Sequence, residues 1–187
     1  MRRREERQTI RQLRQGRRDA YEAIICRHYA AIYRFLAYLT YDSGLAEELT
    51  QETFAAAWAG VDSYRGRASL GTWLHRIAYR KFIDAKRGLE RDAHLKDRLK
   101  EHAREALDAD ASNPLHRLAA DEECRLVQEA MLKLESSEYL VVLLHYIEGL
   151  SFREMTGILD EPVGTVKWRT SRALKRLRQY LTGGVKR

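Results

Sequence analysis

Apolar side chains recur at helical spacing along most of this chain. Tyr21, Ile24, Ile25, His28, Tyr29, Ile32, Leu36 and Leu39 predict a helix over 20–39, broken by Tyr41-Asp-Ser-Gly44. A second helix is predicted over 45–59. Its inner face carries Ala46, Leu49, Thr53, Phe54, Ala57 and Trp58, and its outer face carries Glu47, Glu48, Gln51 and Glu52. Gly60 closes it, glycine being common just past a helix end. A loop over 61–68 follows, then Ser69 as the N-cap of a third helix reaching residue 87, with Leu70, Trp73, Leu74, Ile77 and Ala78 turned inward. Residues 88–120 are polar and short of large apolar side chains. The stretch 106–114, ending in Ser112-Asn-Pro114, reads as a linker. Beyond it, helices are predicted over 119–134, 137–148, 151–159 and 163–181, with a frayed basic end. Strand-like alternation is hard to find. The fold class is therefore all-α: two small helical domains, 16–90 and 118–182, joined by a flexible linker over 91–117.

Composition agrees and adds a polyanion partner. The 187 residues carry a formal net charge of +7, so the chain is drawn toward negative surfaces. The charge is also blocked. Residues 1–18 are crowded with arginine, 42–62 hold no Lys or Arg, 65–91 are strongly basic, 101–123 are acidic, and 167–178 carry no acid. Such blocks suit a protein that meets both nucleic acid and a basic protein surface. The outer face of the second helix also fits a plain solvated helix face. The arginine-rich N-terminus reads as a disordered arm.

Several classes are disfavoured. Cys26 and Cys124 are too few and too far apart for a disulfide framework or a structural zinc site, and read as two small buried thiols in a reducing compartment. The six histidines are scattered, so no metal site is predicted. There is no Gly-rich phosphate loop and no nucleophile elbow, hence no enzyme, cofactor or small-molecule substrate is expected. No apolar segment follows the basic N-terminus as in a signal peptide, and the apolar stretch 139–147 is too short to span a bilayer. A cytoplasmic protein without a membrane partner is expected.

The sequence is most specific near its C-terminus. Leu150-Ser-Phe-Arg-Glu154 has the form of a capping box, with Ser151 as N-cap and Glu154 three residues on. Phe152, Met155, Ile158 and Leu159 make a short apolar stripe. Asp160-Glu-Pro162 turns the chain, and Val163-Gly-Thr-Val-Lys167 opens the next helix. Val166, Thr170, Ala173, Leu174, Leu177 and Leu181 share one side of it, with basic and polar residues on the rest. Two short helices joined by a tight turn, the second basic outward, match a helix-turn-helix that places its second helix in the DNA major groove. An ordinary amphipathic helix with a solvated basic face is the bland alternative.

The stretch Glu148-Gly-Leu-Ser-Phe-Arg-Glu-Met through Val163-Gly-Thr-Val-Lys resembles region 4 of the extracytoplasmic-function (ECF) sigma factors of bacterial RNA polymerase. So does the upstream Leu132-Lys-Leu-Glu through Val141-Val-Leu-Leu144. Ala46-Glu-Glu-Leu-Thr-Gln-Glu-Thr-Phe54, Trp73-Leu-His-Arg-Ile-Ala78 and Asp84-Ala-Lys-Arg87 resemble their region 2. The two halves occur in the family's order, and the resemblance spans most of the chain after the first 15 or so residues.

The resemblance implies a fold, a region 2 helical bundle plus a region 4 helix-turn-helix. It also implies partners: core RNA polymerase through its beta-prime coiled coil and beta flap, promoter DNA, and an anti-sigma factor. Glu47, Glu48, Gln51 and Glu52 would bind core polymerase. Tyr64, Arg65, Arg67 and Ser69 fall in the loop that the family uses as a pocket for a flipped base. His75, Arg76, Tyr79, Arg80 and Arg87 would follow the minus-ten strand. Trp73 fits either core packing or base contact, Phe82 and Ile83 read as core, and Asp84 as a helix partner of Arg80 or Arg87. In region 4, Thr165, Lys167, Trp168, Ser171 and Arg172 would read the minus-thirty-five element, with Arg169, Lys175 and Arg176 on phosphates.

The chain departs from the family pattern in three places. Glu135-Ser-Ser137 stands where prolines are frequent, Arg80 where Asn is common, and Trp168 where a small polar residue is common. The last two bear on promoter sequence rather than fold. A helix-turn-helix regulator acting on operators without polymerase is the rival reading. It calls for a receiver or ligand domain upstream, which the first 110 or so residues do not resemble.

Overall fold

A computed structural model describes residues 3–91 and 122–184. The chain divides into two compact units, Met1–Arg104 and Glu105–Arg187. The described residues are helical apart from turns. The expected linker over 91–117 lies outside them except for Arg91.

The first unit is built on α1 (Arg3–Arg14), α2 (Arg18–Thr40), α3 (Ser43–Ala59) and α4 (Leu70–Arg91), with a 3-10 turn at Val61–Ser63. Its core is Ile24, Ile32, Phe35 and Leu36 of α2, Ala46, Leu49, Phe54 and Ala57 of α3, and Leu70, Leu74 and Ala78 of α4. These are helix-spaced positions, so burying them aligns the three helices with one another. Burial of a Leu or Phe side chain contributes about 1.5–3 kcal/mol, which makes this cluster the main support of the unit.

The expected disordered arm is corrected. α1 is helical and packs on α2 and on the Val61–Ser63 turn. Ile10 and Leu13, one turn apart, are buried, while Arg7, Arg11 and Arg14 are exposed. The first unit therefore begins before residue 16. Gly16, at φ +74, ends α1 in a Schellman motif: its N–H donates to the Leu13 carbonyl at 2.9 Å and that of Arg17 to the Gln12 carbonyl at 3.1 Å.

The break after α2 is also a helix start. Tyr41 takes a left-handed conformation, and the Asp42 carboxylate caps α3 by accepting from the Leu45 N–H at 2.9 Å. Gly60 ends α3 without a left-handed turn. What it supplies is room, since a Cβ there would meet the Ala56 carbonyl oxygen at 3.0 Å. Cys26 is exposed rather than buried. The side chain of Cys124 is outside the described set.

The second unit comprises α5 (Glu122–Leu132), α6 (Ser136–Val142) running into a π-helical turn at Leu143–Ile147, α7 (Phe152–Leu159) and α8 (Val163–Gly184). Tyr139 to Leu144 are all buried, and Met155, Ile158, Val166, Ala173 and Leu177 close over them. The single helix predicted over 137–148 is thus α in its first half and π in its second. The His145 Nδ1–H donates to the Leu150 carbonyl at 2.7 Å and its ring stacks on Phe152 at 4.4 Å, fastening this turn to α7. α8 runs to Gly184, past the end predicted for it.

Candidate nucleic-acid and protein interfaces

On α3, Leu49, Thr50, Thr53 and Phe54 turn inward. The hydroxyls of Thr50 and Thr53 each donate to the carbonyl four residues back, so two polar groups are buried with partners. The 3.6-residue period then puts Glu47, Glu48, Gln51 and Glu52 outside, and all four are exposed. Glu52 Oε2 lies 2.9 Å from Lys81 Nζ of α4, so one carboxylate of this face is already paired within the unit. Trp58 leaves the inner face predicted for it. It is 37% exposed and meets the Tyr21 ring edge-on at 4.6 Å.

The loop after α3 is pinned along its length. The Tyr64 side chain is buried against Trp73, with ring centroids 5.1 Å apart, and its hydroxyl donates to the Ala68 carbonyl at 2.8 Å. Burial pushes the Tyr64 phenol up from its ordinary value. The Ser69 hydroxyl accepts from the Thr72 N–H at 3.1 Å and caps α4. Tyr64 and Ser69, both expected in a base pocket, thus hold the loop in shape. Between them Arg65 and Arg67 are exposed, on either side of Gly66 at φ +66.

His75 is the clear correction. It is 5% exposed, its Nδ1–H donates to the Gly71 carbonyl at 2.8 Å, and its ring meets Phe35 edge-on at 5.1 Å. A ring engaged in that way belongs to the core, not to a DNA surface. Arg76 and Tyr79 are half-buried, Tyr79 stacking on Phe82, while Arg80 and Arg87 are exposed. Arg76, Arg80 and Arg87 recur at spacings of four and seven and so share one side of α4. Asp84 approaches Arg87 at 4.0 Å, the helix partnership read from sequence. Trp73, Phe82 and Ile83 are half-buried.

In the second unit the capping box forms in full: Ser151 Oγ accepts from the Glu154 N–H, and Glu154 Oε2 accepts from the Ser151 N–H at 3.0 Å. Asp160 ends α7 in a left-handed turn, and α8 begins at Val163. Val166, Thr170, Ala173 and Leu177 are buried, while Leu174, predicted among them, is 38% exposed. Outward on α8 are Lys167, Trp168, Ser171 and Lys175, with Thr165 half-buried beside them.

Three of the α8 arginines expected on DNA are held by intrachain carboxylates. Arg169 forms a two-point pair with Glu161, at 2.7 and 3.1 Å. Arg172 Nε lies 2.9 Å from Glu138 Oε1, and its Nη2 lies 3.2 Å from Glu135 Oε1. Arg176 Nη1 lies 2.8 Å from both Glu135 and Glu138. Hydrogen bonding to Arg176 keeps the Glu135 carboxyl below the usual carboxylate range, and the same contacts raise Arg176. The Arg172 guanidinium also sits over the Trp168 ring, 5.3 Å from its centroid. The pattern missed Glu135, Glu138 and Glu161 as partners. For Glu135 a signal existed, its place where prolines are frequent. Its carboxylate makes no cap bond and reaches the arginines instead.

Among the described residues no cluster of His, Cys, Asp and Glu is arranged to hold a metal ion, and no helix is long and apolar enough to cross a membrane.

The Sigma-70 region 2 family matches residues 24–92, and the Sigma-70 region 4 family matches residues 124–177. Over 178 residues the chain is 32% identical to the ECF RNA polymerase sigma factor SigW of Bacillus subtilis (strain 168), covering 92% of this chain and 94% of that one. Two solved structures share the fold. One is CnrH in complex with the cytosolic domain of CnrY, with a TM-score of 0.68, 23% identity and coverage of 95% of this chain and 97% of that one. The other is the sigma factor RpoE in complex with the anti-sigma factor NepR from Bartonella quintana, with a TM-score of 0.67, 23% identity and coverage of 89% and 98%.

Proposed function

The chain belongs to the ECF sigma factors of bacterial RNA polymerase, and on that premise we propose which of its surfaces carry each step of promoter-specific initiation. The α3 face of Glu47, Glu48, Gln51 and Glu52 docks on the basic coiled coil of the beta-prime subunit. The support is its exposure and the lack of any Lys or Arg over residues 42–62. Complementary potential gives such an encounter its rate and orientation.

Once docked, the first unit meets the minus-ten element. Arg65 and Arg67 lie at the loop tip, and Arg76, Arg80 and Arg87 line one side of α4, so cations can follow the phosphates of a separated strand. Tyr64 and Ser69 shape the pocket for an extruded base. Tyr79, half-buried further along α4, offers a ring to the same strand.

The second unit reads the minus-thirty-five element through the N-terminal part of α8, beside the beta flap. Thr165, Lys167, Trp168 and Ser171 form its base-facing set and Lys175 a phosphate contact. Arg169, Arg172 and Arg176 act first by fixing the attitude of α8 through Glu161, Glu135 and Glu138, and reach DNA only where those pairs open. The polymerase supplies all the chemistry. The chain contributes binding and strand separation, in the cytoplasm. An anti-sigma protein covering both units would hold the chain inactive, a reading supported by the anti-sigma partner in the RpoE–NepR structure.

One observation carries this reading: an acidic face on a segment without Lys or Arg and two cationic helical surfaces occur in one chain, in the family's order. Run-off transcription with core polymerase tests it. Initiation at a defined start site is expected, with weak duplex binding by the free chain. Failure to initiate on a genomic promoter library, together with unaided operator binding, would refute it.

A further inference from the structure

α1 lies upstream of the segment matched by the region 2 family, which begins at residue 24. Its position is fixed by burial of Ile10 and Leu13 and by the stop at Gly16. With Leu13 turned inward, the next residue, Arg14, emerges at the loop after α3. There its Nη2 donates to the Tyr64 carbonyl at 2.6 Å, across fifty positions of sequence. Its Nε also approaches Asp62 Oδ1 at 3.8 Å. The Tyr64 carbonyl is the last backbone acceptor before the exposed tip Arg65-Gly-Arg67. The far end of that tip is tied by the Tyr64 hydroxyl to Ala68 and by Ser69 to α4.

We propose that Arg14 is a positioning residue for the minus-ten loop, and that α1 is a working part of the promoter-melting apparatus. The inference rests on the reading of residues 64–69 as that loop. A charged donor anchors a carbonyl more firmly than a neutral one, and a site that must receive one flipped base gains from a loop held in a single shape. Arg14 touches no DNA in this account. It fixes where Arg65 and Arg67 stand.

The test uses holoenzyme assembled from core polymerase and the full chain carrying Arg14→Ala, Arg14→Lys, or Arg65→Ala with Arg67→Ala. Three quantities are read: affinity for core, permanganate reactivity of melted thymines, and base preference on a library randomised across the minus-ten element. Arg14→Ala is expected to leave core affinity unchanged, to lower melting roughly tenfold, the scale of one lost charge-assisted bond of ~1.5 kcal/mol, and to flatten base preference. Arg14→Lys, which keeps one charged donor, should recover part of both. If Arg14→Ala matches wild type in melting and preference while the double loop variant does not, the inference is wrong and the loop reading stands. The inference also fails if Arg14→Ala weakens core binding and melting together and Arg14→Lys rescues neither, since α1 would then serve folding alone. If the double loop variant also behaves as wild type, the loop reading falls and takes the inference with it.

Discussion

Arg176 Nη1 lies 2.8 Å from Glu138 Oε2, and only 1% of the Glu138 side chain meets solvent, against 32% for Arg176. The pair is therefore unequal. Removing a partner of a buried charge costs most when the charge left behind is the buried one. Glu138 is that charge, and Arg172 and Arg176 are its counter-ions. Replacing both arginines by Ala is expected to lower the melting temperature of the second unit by several degrees. Glu138→Gln should cost less, because the freed guanidiniums can turn to water. Thermal unfolding of the full chain measures both. The reverse order would mean that Glu138 does not depend on these arginines as counter-ions, and the argument from its burial would fail.

The helical repeat made most of this architecture legible. Ile32, Leu36, Ala46, Leu49, Leu70, Leu74, Met155 and Val166 all bury where the spacing puts them. The capping box at Ser151 and Glu154 was readable because it is local. What escaped is non-local or masked by charge. α1 holds two buried apolar residues in a helix otherwise crowded with arginine, so its composition hides its face. His75 passes for a DNA contact until Phe35 and Gly71 are seen around it. The pairs made by Arg172 and Arg176 cross 34 to 41 positions, and no periodicity reports such a distance.

Charge reversal on α3 separates docking from folding. Glu52 is a poor place for it, since a Lys there would face Lys81, now 2.9 Å from the Glu52 carboxylate. Glu47 and Glu48 are exposed and face outward on the same helix. Glu47→Lys with Glu48→Lys is expected to weaken core polymerase binding by roughly tenfold or more, mainly through slower association at low salt. Melting temperature should stay within about 4 °C, as for surface substitutions generally. Association kinetics at two salt concentrations check it. An unchanged rate would remove α3 from the docking surface.

Gly66 sits at φ +66 between the two loop arginines, and a Cβ there would meet no other atom within 4 Å. Only backbone conformation therefore opposes a side chain. Gly66→Ala should cost about 1–2 kcal/mol or shift the loop, and Gly66→Asn less, because Asn tolerates the left-handed region. The expected result is reduced strand separation at the promoter by the Ala variant, near-normal melting by the Asn variant, and unchanged core affinity in both. Permanganate footprinting of the holoenzymes reads this. Equal behaviour of the two variants would show that the loop does not need this turn to work.

The first unit should lose stability in mildly acid solution, for a reason confined to His28. Burial pulls its pKa down to about 4, helped by repulsion from Arg27 and His75. In the unfolded chain a histidine titrates near ~6.5, so between the two values the unfolded state binds the extra proton. The stabilising contribution is full above about 6.5 and is lost as pH falls toward about 4. Glu135 acts in another window. Its depressed carboxyl contributes above the ordinary carboxylate range and loses that contribution only in stronger acid. Calorimetry at about pH 7.5 and pH 5 should therefore show the transition of the first unit falling with pH, and His28→Gln should flatten that fall without touching the second unit. A wild-type transition that moved no more than that of the Gln variant would mean that the folded protein accommodates a charged His28, and the burial argument would fail.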